Sequence, residues 1–399
     1  MSAPNKVTPR KRKWARRLLV AGGAFAGVTG ALLVGIHEIP WLGPALADGV
    51  RSVVGPKPVA WAEDVVYGAE DWVNLRTRAE EKPKTFWAET EVEPIPTAVP
   101  DGKGGTKTID PMEGAPPPFV APYPSVASDE DGKWVPMRGP HEIGDVVMWK
   151  SVVHPDPKRP FAAVAVVAVD RQRTELHLVA GTDEPKSREV PRSERTGLIP
   201  ETAADTLVAA FNGGFKAMHG NYGMRIAQDT FIPPRDIACT VAANADGNLT
   251  VRTFSKATDA WDRALWYRQT PPCLVEQGEP NPGLLFEFNK NWGAAVGGDT
   301  IIRRSAFGVS KDGKHFFYGL GDAVTAQSIG RAMLAVGAWD AAQLDVNYSY
   351  PRFLLFDHGE GGASATHPII PDIKYSPSEY VRTPAQRDFF YVTKKREAS

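Results

Sequence analysis

The strongest constraint on this chain is an uncharged apolar run of 19 residues, 18–36. A helix of that length spans about 30 Å, which is the thickness of the hydrocarbon core of a bilayer. The run follows seven Lys and Arg residues in a tail that contains no Asp or Glu. Bases on that side predict that the N-terminal end stays in the cytoplasm. We therefore expect a basic cytoplasmic tail over 1–17, a transmembrane helix or signal anchor over 18–36, and a translocated body.

A cleaved signal peptide is the alternative to a retained anchor. Ala45, Leu46 and Ala47 have the small-x-small pattern of a signal-peptidase site. That site lies well past the apolar run, and the run is long for a signal peptide, so we favour the anchor. In either case we expect the body to work outside the cytoplasm, in the periplasm or the extracellular space.

The juxtamembrane segment, residues 37–79, contains one helical pattern. Over 59–79 the Val, Trp and Leu side chains recur near the spacing of a helix. We predict an amphipathic helix that either packs on the body or lies at the membrane surface.

The net charge of −1 conceals an uneven distribution. Residues 79–133 hold five bases against eleven acids, and residues 134–399 are neutral. The stretch 80–140 also carries 12 of the 35 prolines and has no periodicity. We therefore predict an extended acidic, Pro-rich linker over 80–133. A neutral body without a basic stripe argues against nucleic acid as a partner.

Tight-turn signals recur in the body. Asp246-Gly247 and Asp312-Gly313 each separate two short apolar runs, as is typical of antiparallel hairpins. Between residues 161 and 180, two apolar runs flank a polar turn and indicate strand, turn and strand.

One helix is predicted among these strands. Thr325 is placed to cap it, and Gly337 supplies the left-handed position beyond its end. Further strands are indicated at residues 341–345, 352–356 and 388–392. We predict an α+β fold: a single mixed domain over 134–399, rich in antiparallel hairpins.

Cys239 and Cys273 are the only cysteines. In an oxidising compartment they suit one disulfide, and two separate buried thiols are the alternative. Neither lies in a CxxC or Cys/His cluster, so we predict no metal site. The sequence does not define a cofactor.

Three local patterns suit the recognition of an anion. Asn212, Gly213 and Gly214 end an apolar strand, and successive glycines let backbone N–H groups approach a ligand. Arg304 begins another strand, and its planar guanidinium matches phosphate oxygens. Asp345 ends the strand after the predicted helix. Taken singly, these patterns also fit an ordinary turn, an edge arginine and a strand-end acid.

Together these segments resemble the phosphodiester glycosidase domain family. The family pattern runs NGGFF, an RTAIG strand, a strand followed by Asp-Gly, a helix and LDGGGS. The matching segments are residues 212–215, 304–308, 321–322 in reversed order, 337–338 and 344–345. The resemblance covers roughly residues 140–395. It implies a hydrolase that cleaves a sugar-1-phosphate diester in a cell-envelope or exported glycan.

The resemblance also suggests roles for individual residues. Expelling a phosphate monoester needs less acid assistance than ordinary glycoside hydrolysis, so donors for the phosphate matter most. Asp345 is the candidate base or electrostatic stabiliser, Asn212 orients substrate and His219 is an acid or base candidate. The predicted substrate-binding residues are Gly213, Gly214, Arg225, Arg304 and Asp322.

One departure from the family pattern leaves a second function open. Where the family has Gly-Gly-Gly-Ser after the acid, this chain has residues 346–349, Val-Asn-Tyr-Ser. Side chains then fill space that glycines would leave to a ligand. The alternative is a catalytically degenerate domain that binds glycans or serves as a structural part of the envelope.

Overall fold

The computed structural model describes residues 49–50, 56–81, 97–100, 105–137, 146–285, 291–293, 300–359, 361–371 and 373–396. The chain divides into two compact units, residues 1–60 and 61–399. The predicted basic tail and apolar span, 1–36, lie outside the described residues. Within the part that is described, no helix is both long and apolar enough to cross a membrane.

The secondary structure consists mainly of short and medium strands. In chain order the strands are β1 (Ala98–Pro100), β2 (Thr106–Thr108), β3 (Val135–Met137), β4 (Met148–Val153), β5 (Val164–Asp170), β6 (Thr174–Val179), β7 (Leu207–Asn212), β8 (Met224–Ile226), β9 (Asp229–Ile232), β10 (Cys239–Asn244), β11 (Leu249–Thr253), β12 (Ala264–Thr270), β13 (Val275–Glu276), β14 (Glu279–Pro280), β15 (Ile302–Ser310), β16 (His315–Val324), β17 (Ala338–Val346), β18 (Phe353–Gly359), β19 (Gly362–Pro368) and β20 (Phe389–Lys394). The α-helices whose bounds lie within the described residues are α1 (Pro56–Thr77), α2 (Thr258–Asp262) and α3 (Ala326–Ala335).

Within the described residues these strands form three larger antiparallel sheets and one hairpin, β1-β2. The eight-stranded sheet has the order β14-β13-β17-β15-β16-β5-β4-β3. The two five-stranded sheets have the orders β11-β10-β12-β8-β9 and β19-β18-β7-β20-β6. Phe211 of β7, Phe307 of β15 and Phe390 of β20 belong to one buried cluster, so a shared aromatic core joins two of the sheets.

The α+β prediction is wrong, because the fold is mostly β with three antiparallel sheets. The local signals behind that prediction were sound, and both Asp-Gly hairpins form, as β10-β11 and β15-β16. The predicted helix also forms as α3, where Thr325 accepts a hydrogen bond from Ser328 N and Gly337 has φ +93°. A helix of ten residues such as α3, beside so many paired strands, does not make a helical layer.

The strands predicted between residues 161 and 180 form as β5 and β6, but they do not pair with each other. β5 lies between β4 and β16, whereas β6 pairs with β20 in another sheet. β5 is buried throughout, whereas β6 alternates buried residues with half-buried or exposed ones. A turn signal gives the change of direction, and the choice of sheet depends on distant partners.

The C-terminal part of the predicted linker, which contains Pro111, Gly114 and Pro117, packs against the body and is not an extended tether. Trp149 Nε1 donates to Pro111 O at 3.0 Å, and Trp134 Nε1 donates to Pro117 O at 3.1 Å. His315 Nε2 lies 2.7 Å from Gly114 O. Proline-rich backbone has few N–H donors of its own, so its carbonyls are well suited to accept from side chains of the body. The folded body therefore begins before residue 134.

The helix predicted over 59–79 forms as α1. Its Asp71 side chain accepts from Arg159 Nε and Nη2 at 2.8 and 2.7 Å. These bonds fix this part of α1 to the body. The predicted disulfide also forms: Cys239 and Cys273 are bonded, with their Cα atoms 4.7 Å apart.

Candidate functional site

Asn212, at the end of β7, lies at the centre of a buried polar network. Its Nδ2 donates to Ser305 Oγ at 2.9 Å, and its Oδ1 accepts from Tyr318 OH at 2.7 Å. The backbone N of Arg352 also donates to Oδ1, at 3.2 Å. Asn212 therefore ties β7 to β15 and β16 of the largest sheet and to the chain leading into β18.

The Gly-Gly turn after Asn212 does hold an anion, and that anion is a carboxylate of this chain. The N–H of Gly214 donates to Asp388 Oδ2 at 2.9 Å, and the N–H of Gly213 donates to Asp388 O at 2.9 Å. A Cβ at residue 213 would lie 2.1 Å from Asp388 Oδ2. Only glycine permits that approach, and both N–H groups of the turn are occupied.

A second charge secures Asp388. Arg268 Nε lies 2.8 Å from Asp388 Oδ2, and both side chains are fully buried. The same guanidinium donates to Phe215 O at 2.6 Å and to Tyr222 O at 3.0 Å. A buried pair persists when its remaining donors and acceptors are satisfied in this way.

Asp345, near the end of β17, lies beside the same turn. Its backbone N donates to Gly213 O at 3.2 Å, and its carbonyl accepts from Ser305 Oγ at 2.9 Å. Its buried carboxylate forms an ion pair with Arg387. Arg387 also donates from Nη2 to Gly214 O at 3.2 Å, and its guanidinium carbon lies 3.9 Å from the centre of the Tyr350 ring.

The electrostatic balance at Asp345 is set by burial against one cation. Burial raises the pKa of the Asp345 carboxyl above its usual value; Arg387 opposes that shift and Asp388 adds to it. Burial also raises the pKa of the Tyr350 hydroxyl, and that hydroxyl donates to Asp388 O. Asp345 is therefore a carboxylate whose charge depends on its arginine.

The loop that replaces the family's glycines is built around Asn347. Its Oδ1 accepts from Ser349 N at 2.9 Å and from Tyr350 N at 2.7 Å. In an Asx turn of this kind, a side-chain oxygen holds the backbone N–H groups of the turn, so the turn does not need a flexible glycine. It carries Tyr350 under the Arg387 guanidinium.

Arg304 and Arg225 lie elsewhere. The Arg304 guanidinium is buried and donates to Gln343 Oε1 at 3.0 Å and to backbone carbonyls, including Thr300 O at 2.6 Å. Arg225 donates to Trp261 O and Ala264 O at 2.8 and 2.7 Å. Because Arg225 is opposite Tyr267 in the β8-β12 pairing, it lies on the face of β12 that is opposite Arg268.

The remaining predicted residues also lie apart from this network. Asp322 pairs with Arg303, whose Nη2 is 3.0 Å from Asp322 Oδ2, and Arg303 Nη1 donates to Tyr348 O at 2.8 Å. His219 is exposed in the 3-10 turn Ala217–His219. The structure thus brings together Asn212, Gly213, Gly214 and Asp345. Within the described part of the chain, Arg225, Arg304 and Asp322 hydrogen-bond to other residues, and His219 is exposed.

Sequence reasoning missed Arg268, Tyr350, Arg387 and Asp388. The available signal was the adjacent Arg387-Asp388 pair before a strand, where two opposite charges enter an apolar run. Which turn that strand meets is set by the pairing of Phe389 with Asn212, which no local pattern reveals. Among the described residues there is no group of three or more His, Cys, Asp or Glu that would hold a metal ion.

Comparison with known proteins supports the resemblance noted from the motifs. Residues 205–345 match the sequence model of the phosphodiester glycosidase family, which confirms the predicted resemblance over that range. At the family level, this match indicates a glycosidase-type hydrolase. No protein of curated function matches the sequence.

Several solved structures are similar to this chain at low sequence identity, including the two that follow. The catalytic domain of zebrafish N-acetylglucosamine-1-phosphodiester alpha-N-acetylglucosaminidase, auto-inhibited by its pro-peptide, is 14% identical; the match covers 67% of this chain and 90% of that chain, with a TM-score of 0.40. A hypothetical protein from Synechocystis is 11% identical over 62% of each chain, with a TM-score of 0.39.

Proposed function

We propose that this chain, whose residues 205–345 match the phosphodiester glycosidases, hydrolyses a sugar-1-phosphate diester at the anomeric carbon. The observation that carries the proposal is the meeting of the two ends of the matched range. Asp345 N donates to Gly213 O at 3.2 Å, so the Asn212 turn and Asp345, the candidate base, share one site.

The chemistry requires water to add at C1 while the bond from C1 to the phosphate oxygen breaks. The products are the free sugar and a phosphate monoester, and the proton lost by water goes to a base or to solvent. Asp345 suits the base because burial raises the pKa of its carboxyl and so increases its basicity. Asn212, held by Ser305 and Tyr318, fixes the turn beside it.

We also propose that the body acts outside the cytoplasm, on a cell-envelope or exported glycan, tethered by residues 18–36. Seven bases before that uncharged run support this orientation. The Cys239–Cys273 disulfide supports an oxidising compartment.

The test is hydrolysis by the full chain of a synthetic sugar-1-phosphate diester, followed by ³¹P NMR in ¹⁸O-labelled water. The proposal expects conversion of diester to monoester, with the label in the sugar. Label in the phosphate would instead identify a phosphodiesterase that cleaves P–O. Asp345→Asn should reduce kcat at least 100-fold, in the range of lost acid–base catalysis. The matched control is Asp357→Asn, the same change at an exposed carboxylate on β18, which should leave kcat unchanged.

A glycan-binding domain without turnover is the second candidate. The Asx turn of Asn347 favours it, because this turn stands where the family pattern has glycines. Binding of the intact diester with no monoester formed would establish that candidate and overturn hydrolysis.

A further inference from the structure

We propose that Arg387 is the residue that receives the phosphodiester anion, and that it releases Asp345 when it does so. The nature of the anion rests on the proposed function. The exchange, in which the anion replaces Asp345 as the partner of Arg387, rests on the geometry around Arg387.

Arg387 has donor capacity to spare. Its Nε is buried and has no hydrogen-bond acceptor among the described residues. Its Nη2 pairs with Asp345 and donates to Gly214 O. The side chain nevertheless keeps 11% of its surface exposed, against 3% for Asp345, so the arginine is more open to an anion from solvent than the carboxylate is. The Tyr350 ring beneath the guanidinium holds its plane in place.

Three other arginines, one near this site and two predicted for it, donate to other groups. Arg268 donates to Asp388 and three backbone carbonyls, and Arg304 donates to Gln343 and to backbone carbonyls. Arg225 retains an unpartnered Nε, but it lies on the face of the β8-β12 pair that is opposite Arg268. Arg387 contacts both the Gly-Gly turn and Asp345.

The exchange has a consequence for the charge of Asp345. Besides Arg387, the groups that face Asp345 are Asp388, the Tyr350 hydroxyl and the backbone N–H of Val346. Of these, only the N–H favours the carboxylate, and Arg268 already neutralises Asp388. An anion on Arg387 therefore leaves Asp345 without a cation and makes it more basic. A phosphodiester bound at C1 would thus activate the carboxylate beside it.

The exchange couples anion binding to protons. The pKa of Asp345 in the complex must exceed that in the free protein, because the complex removes its cation. The complex then holds more protons, so affinity for the anion is highest at low pH. It falls as pH rises through the interval between the two pKa values, an interval that begins above about pH 4 since burial already raises the free value.

The test uses dimethyl phosphate, a phosphodiester that remains a monoanion over the working pH range and has no glycosidic bond. Binding to the full chain is measured by ³¹P NMR titration between pH 4.5 and 8. Wild type should bind more weakly as pH rises. Arg387→Gln should abolish binding, and Arg387→Lys should weaken it because the ammonium lacks the planar fork.

Asp345→Asn should change the affinity in the opposite direction, toward tighter binding. A misfolded variant would not bind more tightly, so this result cannot be mistaken for misfolding. Asp345→Asn should bind dimethyl phosphate about tenfold more tightly at pH 7, since removing one neighbouring charge is worth at least that factor, and should lose the pH dependence. Arg382→Gln is the matched control: Arg382 is exposed and donates to Gly361 O and Ala363 O, and this variant should bind like wild type.

The outcomes separate the two proposals. Unchanged binding by Arg387→Gln, or weaker binding by Asp345→Asn, would overturn the exchange even if the chain hydrolyses diesters. The predicted binding pattern without any hydrolysis would uphold the exchange and overturn the catalytic function.

Discussion

Arg268 and Asp388 form a fully buried ion pair, with Arg268 Nε 2.8 Å from Asp388 Oδ2. The pair joins β12 to the start of β20, and Asp388 also accepts from Gly214 N. The turn that looked like an open anion site is therefore part of the internal framework. The proposed anion contact therefore falls to Arg387, which lies beside the turn.

Removing one member of this pair should strongly destabilise the body. We expect Asp388→Asn to lower the free energy of unfolding by about 3–5 kcal/mol, because it leaves Arg268 charged and uncompensated. Chemical denaturation with a double-mutant cycle against Arg268→Met measures the coupling. If the double variant is no more stable than the single Asp388→Asn variant, the pair is not the cause.

The disulfide should be a major source of stability. Cys239 and Cys273 are separated by 34 positions, and closing a loop of that size stabilises the fold by about 4 kcal/mol in the chain-entropy account. The double change to serine should therefore lower the melting temperature in non-reducing buffer. Adding reductant should lower the melting temperature of wild type but leave the double variant unaffected.

A buried carboxylate should control the attachment of the segment 110–137. Asp131 accepts from Ser128 Oγ, His154 N and His154 Nδ1 at 2.8, 2.8 and 2.7 Å. We expect Asp131→Ala to release the segment, so that limited proteolysis cuts between residues 110 and 134 before the rest of the body. The protease should cut Asp129→Asn, a change at an exposed neighbour, in the same pattern as wild type.

The same carboxylate gives an acid limit to stability. Although burial opposes it, hydrogen bonding and attraction from His154 lower the pKa of Asp131 below its usual value. Its contribution is therefore present above the unfolded pKa of about 3.9 and is lost as pH falls through the lower folded value. Denaturation of wild type and Asp131→Asn should differ at pH 6 and converge near pH 2. A constant difference across that range would contradict this account.

Export of the body should depend on the N-terminal 36 residues. A bacterial alkaline phosphatase fused after Ser399 is active only when translocated. We expect activity from the full chain and its loss when residues 18–36 are deleted. Equal activity without those residues would exclude this route to the membrane.

Local sequence determined the features that depend on a few adjacent residues. The Asp-Gly hairpins, the Thr325 cap and the NGG turn needed only short patterns, because turn geometry and capping are satisfied within a few residues. The motif order was enough to indicate the glycosidase resemblance. The prediction of the fold class failed because one strong helix signal does not show how many strands pair around that helix.

Only the tertiary structure decided which charges meet. Arg304 and Ser305 are adjacent in β15, yet Ser305 faces Asn212 while Arg304 binds carbonyls elsewhere, because successive side chains in a strand point to opposite faces. The pairing of Phe389 with Asn212 sets Asp388 on the Gly-Gly turn, with Arg387 beside Asp345. Contacts between residues so far apart in the chain follow from strand register, and local pattern does not encode register between distant strands.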